Sequence, residues 1–387
     1  MKRLLIFISM IVLVAGLGAG VWAVTRKPDE PQIQASISAV QAVNGTGDTG
    51  KFARVTTVRP FVFPQDHGAH RDYRTEWWYY TGNLADASGR RFGFQLTFFR
   101  SALSDAPITR TSTWATNDIY MAHFALTDVQ NNRFYAFDRF SRDAAGLAGA
   151  TGEPYRVFLE DWSAAGSGSE GMTMRLIAKQ NEVAIDLTLD SSKIPTLQGD
   201  RGLSQKGTAI GNASYYYSLT NMTTNGTLNL PNEQPISVTG KAWMDHEWGT
   251  SALEGDAVGW DWFALQLDDN REITYFNIRM QDGSIEPRSS GTITLADGST
   301  RKITADQVQL DVLNQWTSPD GTAYPAKWRL QIPSEQLDLT ITPQIANQEL
   351  PLRIRYWEGT VKIEGSATGY GYVELTGYGD GEAARAN

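Results

Sequence analysis

From about residue 51 onward the chain is a succession of short apolar or alternating runs separated by turn residues. Candidate strands fall at 76–84, 92–100, 119–127, 133–140, 155–159, 172–178, 183–189 and 215–220. Separators such as Ala87-Ser88-Gly89 and Gln130-Asn131-Asn132 suit antiparallel hairpins. The second half continues at 236–243, 260–267, 273–280, 291–295, 328–332, 337–342, 356–363 and 370–378, with turns at Asp297-Gly298 and Asp320-Gly321. No long helical period interrupts this pattern, so it predicts an all-β fold of barrels or sandwiches. Glu233-Gln234-Pro235 is the strongest internal boundary signal and divides the chain into halves at 51–234 and 235–387.

Within the first half, Thr75 to Thr81 contains four consecutive aromatics. As a strand it puts Glu76, Trp78 and Tyr80 on one face and Trp77 and Tyr79 on the other. Aromatics on both faces require both to be covered, as in a barrel wall with its own interior on one side and a second layer outside. On that reading Trp77 and Tyr79 pack toward the other half. Glu76 is the anomaly, because a carboxylate among aromatics must be paired, protonated or at work. The face of Glu76 or of His246 is expected to reach a cavity. One internal similarity suggests two copies of one unit: Phe124-Ala125-Leu126 with Asn132-Arg133, and Phe263-Ala264-Leu265 with Asn270-Arg271, at a nearly constant offset.

Composition adds limits. The 387 residues carry a net charge of −9, which argues against nucleic acid as a partner. The absence of Cys excludes disulfides, thiolate catalysis and iron–sulfur ligation. Lys2 and Arg3 precede an uncharged apolar run over residues 4–24. Residues 1–26 therefore read as a signal peptide or a membrane anchor, and the bulk of the chain as exported, periplasm-facing or secreted. Residues 27–50 lack a hydrophobic period and read as a flexible linker.

Chemistry concentrates in Lys241-Ala-Trp-Met-Asp245-His246-Glu247-Trp248-Gly249. There His246 and Trp248 share one face, while Asp245 and Glu247 share the other. His246 is a candidate proton donor or acceptor, although a satisfied structural histidine explains the same residues. In the strand that follows, Trp260 and Trp262 lie opposite Asp261. In the next, Tyr275, Asn277 and Arg279 form a polar face opposite Phe276 and Ile278. Such a polar face is either solvated or lines a cavity. Candidate catalytic residues are thus His246, Asp245, Asp261 and Tyr275. Candidate ligand contacts are Glu76, Trp78, Tyr80, His123, Trp248, Trp260, Trp262, Asn277 and Arg279. His67 and His70 beside Asp66 have metal-like spacing, but without a second tight ligand cluster no metal is assigned. Phosphate-loop, G-x-S-x-G and H-E-x-x-H motifs are missing, and no cofactor is assigned.

The stretches FPQDHGAHRDYRTEWWYYTGNL, KAWMDHEWG and YWEG…GYGYVELTGY together resemble the carotenoid 1,2-hydratase (CrtC-type) and AttH-like family, from roughly residue 61 to 378. The resemblance implies two tandem lipocalin-like (calycin) antiparallel β-barrels packed together, behind the N-terminal signal or anchor. It also implies a lipophilic, isoprenoid or lipid-like ligand in a β-barrel cavity and, for AttH-like members, an ABC transporter permease as partner. In the hydratase branch it implies cofactor-free addition of water to a terminal isoprenoid double bond, with the motif carried over at His246 and Trp248. A non-catalytic envelope scaffold is the remaining alternative.

Overall fold

The structure is a computed structural model that describes residues 50–379 apart from 107, 110, 251, 252, 254 and 255. The stretch expected to be a signal or anchor (1–26) and nearly all of the expected linker (27–50) lie outside the described residues. Among those described there is no α-helix, only three 3₁₀ turns.

The first sheet opens with a meander of β1 (Thr75–Ala85), β2 (Arg91–Ala102), β3 (Asp118–Asp128) and β4 (Arg133–Arg142). It continues with β5 (Ala148–Gly152), β6 (Tyr155–Leu159), β7 (Trp162–Ser167), β8 (Thr173–Gln180) and β9 (Val183–Ser191). Two short strands, β10 (Thr196–Leu197) and β11 (Leu203–Gln205), precede the long β12 (Ala213–Asn229) and β13 (Ile236–Gly249). The ladder order is β4-β3-β2-β1-β13-β12-β9-β8-β7-β6-β5. The sheet curls until β6 packs across β2, β3 and β4, forming a nearly closed barrel. Its interior is filled by side chains, among them Trp78, Tyr80, Phe94, Phe124, Trp162 and Trp248.

The second sheet holds β14 (Ala257–Leu267), β15 (Glu272–Met280), β16 (Ser290–Thr294), β17 (Thr300–Thr304), β18 (Gln309–Thr317), β19 (Ala323–Ile332), β20 (Leu337–Pro343), β21 (Glu349–Leu350), β22 (Tyr356–Gly365) and β23 (Gly369–Leu375). Its order is β17-β16-β15-β14-β23-β22-β20-β19-β18, a half-barrel around Phe263, Trp328, Trp357 and their neighbours. The all-β class and paired barrel-like sheets match the expectation.

The boundary at Glu233–Pro235 does not. Residues 230–235 are the β12–β13 hairpin loop, with Asn232 in the left-handed region (φ 62°), and β13 pairs with both β1 and β12. The change of sheet comes after Gly249, because β13 closes the first ladder rather than opening the second. A proline-bearing turn inside a hairpin carries the same local signal as a linker.

The two sheets share one topology. Each opens with a four-strand meander whose first strand (β1, β14) pairs with the last strand of its sheet (β13, β23), followed by β12 or β22. The Phe-Ala-Leu similarity does not mark this equivalence, since it aligns β3 with β14 whereas topology aligns β1 with β14. What those stretches share is a hairpin turn whose Asn132 and Asn270 both take positive φ, 49° and 63°.

The sheets meet face to face. Asn83 Nδ2 donates to the Gly371 carbonyl (3.0 Å), Thr127 Oγ1 to Gln348 Oε1 (3.0 Å), and Gln266 Nε2 to the Thr220 and Ala242 carbonyls (2.8 and 2.9 Å). At Gly93 the strands approach so closely that a Cβ would lie 2.7 Å from Thr360 Cβ.

Candidate functional site

β1 and β13 form the wall on which the chemistry is arranged. Their register sets Glu76 opposite Trp248, Trp78 opposite His246 and Tyr79 opposite Asp245. Alternation then sends Glu76, Trp78, Tyr80, His246 and Trp248 into the first barrel, and Trp77, Tyr79, Asp245 and Glu247 toward the second sheet. The two-sided wall inferred from Thr75–Thr81 is what the structure shows, with Tyr79 edge-on to Trp262 (centroids 5.0 Å, 82°).

Inside the barrel lies a buried ionic cluster. Glu76 Oε1 stands 2.7 Å from His70 Nδ1 and 2.9 Å from His246 Nε2, while Arg100 Nε donates to Glu76 Oε2 (3.0 Å). His70 also reaches Asp66 (3.1 Å) and stacks on Trp248 (3.7 Å, 3°). Burial alone would raise the Glu76 carboxyl, but the charges of His70 and Arg100 and the histidine hydrogen bonds hold it below the usual range. Burial would lower His70, yet Glu76 and Asp66 raise it; for His246 burial prevails over Glu76 and the imidazole is held neutral. His67, bonded to Tyr217, is pushed down to about 3 by burial and by His246. His70, Glu76 and His246 also have the makings of a metal triad. The donor set argues otherwise. A tetrahedral zinc with bonds of about 2.0–2.1 Å spaces its ligand atoms about 3.3 Å apart, whereas the 2.7 and 2.9 Å here are hydrogen-bond distances, and Arg100 already supplies the positive charge.

The cavity is on the other side of the wall. A cleft with a cavity volume of about 100 Å³, open to solvent at its mouth, lies between the sheets. Trp77 and Tyr79 of β1 face Trp260 and Trp262 of β14 and Phe276 and Ile278 of β15 across it. Asp245, Glu247 and Glu374 enter this aromatic space, and Lys206 pairs with Glu247 (3.0 Å) over the Phe276 ring (4.2 Å). Asp245 accepts from Tyr216 Oη (2.6 Å), Trp243 Nε1 (2.7 Å) and Ser218 Oγ. Burial nonetheless pushes its carboxyl up to about 7, against those three donors and with help from Glu247. Glu374 accepts from Trp260 Nε1 (2.9 Å) and is likewise pushed up to about 7 by burial, with Asp245 and Glu247 adding to the shift. An aromatic cleft with a few convergent polar groups is the usual build of a small-molecule site.

The sequence-derived candidates therefore separate into four places. Asp245, Trp260 and Trp262 line the cleft. Glu76, Trp78, Tyr80, His246 and Trp248 face the filled barrel interior, so the expectation that the Glu76 or His246 face reaches this cavity is corrected: the cleft lies behind them, at Asp245 and Tyr79. Asp261, Tyr275, Asn277 and Arg279 point into the second sheet's own concavity, where Arg279 Nε and Tyr378 Oη each donate to Asp261 Oδ1 (3.0 Å). It is the greasy face of β15, not its polar face, that lines the cleft. His123 lies in the seam between the sheets, 2.8 Å from Tyr356 Oη and edge-on to Phe99, and burial pushes it down to about 3. Two acids were not singled out from the sequence. Glu358 and Glu374 sit in the closing YWEG…GYGYVELTGY stretch; Glu374 is an acid on an otherwise apolar or aromatic strand, the signal that had marked Glu76, whereas Glu358 follows Tyr356-Trp357 on a strand that also carries Lys362 and Glu364.

Comparison with known proteins agrees with this architecture. The model of the AttH-like family matches residues 54–378. The chain belongs to the AttH-like family. Its similarity to an AttH protein from Nitrosomonas europaea is 36% identity over 84% of this chain and 99% of that one, with a TM-score of 0.75. The fold, without close sequence similarity, also recurs in kievitone hydratase from Nectria haematococca (17% identity, 85% and 97% coverage, TM-score 0.62). No curated protein matches the chain. For this AttH-like chain the family and the lipocalin-like β architecture are thus established.

Proposed function

We propose that this AttH-like protein binds a lipophilic, isoprenoid or lipid-like molecule, and that the ligand sits between the two sheets rather than inside either barrel. The observation that carries this reading is the cleft, walled by Trp77, Tyr79, Trp260, Trp262 and Phe276, beside a first barrel whose interior is filled. Export, a membrane anchor at residues 4–24 and an ABC permease as partner belong to the same proposal, supported by the apolar run behind Lys2 and Arg3 and by the family resemblance. Native mass spectra of the purified protein are expected to show a bound lipid. Lipid-free spectra together with no uptake of the neutral probe N-phenyl-1-naphthylamine would reject the reading.

A second reading, hydration of a terminal isoprenoid double bond, is favoured by the two carboxyls held near neutrality in the cleft. In it a cleft carboxyl protonates the CH carbon of the terminal double bond, and water captures the tertiary cation left on the dimethyl-bearing carbon. The proton lost by that water returns to the carboxylate, for a net addition of H₂O. The facing indoles would steady the cation by about 0.5–2 kcal/mol each. Incubation with a lycopene-like substrate in H₂¹⁸O tests it: labelled product supports hydration, and unlabelled product leaves binding as the function.

A further inference from the structure

The equivalence of the two sheets picks out a pair of positions. Asp245 on the last strand of the first sheet faces Tyr79 of its first strand, and Glu374 on the last strand of the second sheet faces Trp262 of its first strand. Each acid accepts an indole N–H, from Trp243 and Trp260 respectively. Their surroundings then diverge. Asp245 is tied by three donors and is 3% exposed. Glu374 is only partly buried, enters the cleft and has Trp260 as its one side-chain donor.

Behind Glu374 stands a second carboxyl. Glu358 of β22 is its direct register partner, so the two project from the same face of adjacent strands. Like charges directly opposite one another across a ladder repel, so the pair resists carrying two negative charges. Glu358 is 1% exposed; its Oε1 accepts from Tyr79 Oη, and Tyr356 is a second hydrogen-bonding neighbour of its carboxyl. In the first sheet the place of Glu358 is taken by Ser218, opposite Asp245, so only the second sheet carries an acid pair.

We propose that Glu374, paired across the β22–β23 ladder with Glu358, is the proton-carrying group of the cleft and presents its carboxyl hydrogen to an electron-rich centre of an uncharged lipophile. This rests on the cleft as the ligand site. It assigns the ligand a class: an apolar molecule with a hydrogen-bond-accepting oxygen or double bond, not a lipophilic anion. The groups facing Glu374 reinforce that choice. They are Glu358 and Tyr356 from β22, Asp245 and Glu247 from β13, Tyr79 from β1, Tyr216 from β12 and Lys206, whose charge Glu247 already occupies. Burial beside Glu374 keeps Glu358 well above the ordinary carboxylate range.

The experiment is a set of fluorescence titrations of the full chain with decan-1-ol and with decanoate between pH 5 and 9, competing against N-phenyl-1-naphthylamine. Wild type is expected to bind decanol at least fivefold more weakly at pH 9 than at pH 5.5, and decanoate more weakly than decanol at pH 7 and above. Glu374→Gln is expected to flatten the decanol profile while still binding the probe. Glu358→Gln is expected to keep both the profile and its midpoint, because Glu358, held well above the ordinary range, is already uncharged when Glu374 gives up its proton. A flat wild-type profile, a pH-dependent profile that survives in Glu374→Gln, or preference for decanoate overturns the proposal while leaving the cleft as the ligand site. Failure of wild type to bind the probe or decanol at any pH overturns both.

Discussion

Glu76 Oε1 stands within hydrogen-bond distance of both His246 Nε2 and His70 Nδ1, so the two densest stretches of the sequence converge on one buried carboxylate. The convergence is a consequence of β1 pairing with β13, which sets Trp78 opposite His246 and places Glu76 two residues away on the same face of the wall. With Arg100 on its other oxygen, Glu76 is the hub of a satisfied ionic cluster rather than a group aimed at substrate.

Glu76→Gln is therefore expected to destabilise the protein by about 3–5 kcal/mol, since removing one partner strands the buried Arg100 and His70 charges. The sign of the pH dependence follows. Folded Glu76 is held below its ordinary value of 4.5, so its stabilisation is present above that pH and lost as pH falls toward its folded value. His70 is raised above 6.5, so its contribution is present below 6.5 and lost as pH rises through its folded value. Urea midpoints at pH 3.5, 5 and 7 check this: wild type weakens steeply at the acid end and the variant weakens less. Equal midpoints at pH 7 would remove the cluster from the account of stability.

Neighbouring tryptophans should separate binding from folding. Trp77 faces the cleft, while Trp78 is fully buried in the barrel and its Nε1 donates to the His67 carbonyl (2.7 Å). Trp77→Ala is expected to weaken N-phenyl-1-naphthylamine binding about tenfold, near 1.4 kcal/mol, with a small change in unfolding midpoint. Trp78→Ala is expected to cost about 3–5 kcal/mol of stability. Similar effects of both substitutions on probe affinity at fixed folded fraction would contradict the assignment of faces.

That assignment was legible in the sequence because alternation is local: residues 75–81 and 243–248 declare two faces each without reference to any partner. What lay beyond local reading was which faces meet. β1 and β13 are far apart in the chain, and nothing in either stretch states that they are adjacent, so Glu76 and His246 read as two sites rather than one cluster. The same limit placed the boundary at Glu233–Pro235, where a hairpin turn and a linker share their residues. Glu374 needed no long-range knowledge to be noticed as an acid on a Tyr- and Val-bearing strand. Its role did need it, because the cleft exists only where β23 and β14 come to face β1 and β13.

The close approach at Gly93 offers a test of how the sheets are held. A Cβ there would meet Thr360 Cβ and Cγ2, both at 2.7 Å. Gly93→Ala is expected to cost about 1–3 kcal/mol through overpacking, and Gly93→Ala with Thr360→Ser to recover part of it by removing the clashing methyl. A double variant no more stable than the single one, in urea unfolding at pH 7, would mean that the seam yields elsewhere.

Glu374 carries a stability cost that exposes its protonation. Its carboxyl titrates near 4.5 when unfolded and near 7 in the folded cleft, so the folded state binds the extra proton across that window. Stability must then fall as pH rises from about 4.5 to about 7, and the full penalty applies above it. Glu374→Gln keeps an amide oxygen for Trp260 Nε1 but has nothing to titrate. The variant is expected to match wild type near pH 4.5 and to exceed it by about 1–3 kcal/mol at pH 8; at 1.36 kcal/mol per unit the shift would allow slightly more, and partial exposure reduces it. Urea unfolding at pH 4.5, 6 and 8 measures this directly. A variant no more stable than wild type at pH 8 would show that ionised Glu374 is fully compensated in the fold. A gain that grows with pH, in a protein that has lost its pH-dependent decanol binding, would mark Glu374 as a group kept at a cost for what it does in the cleft.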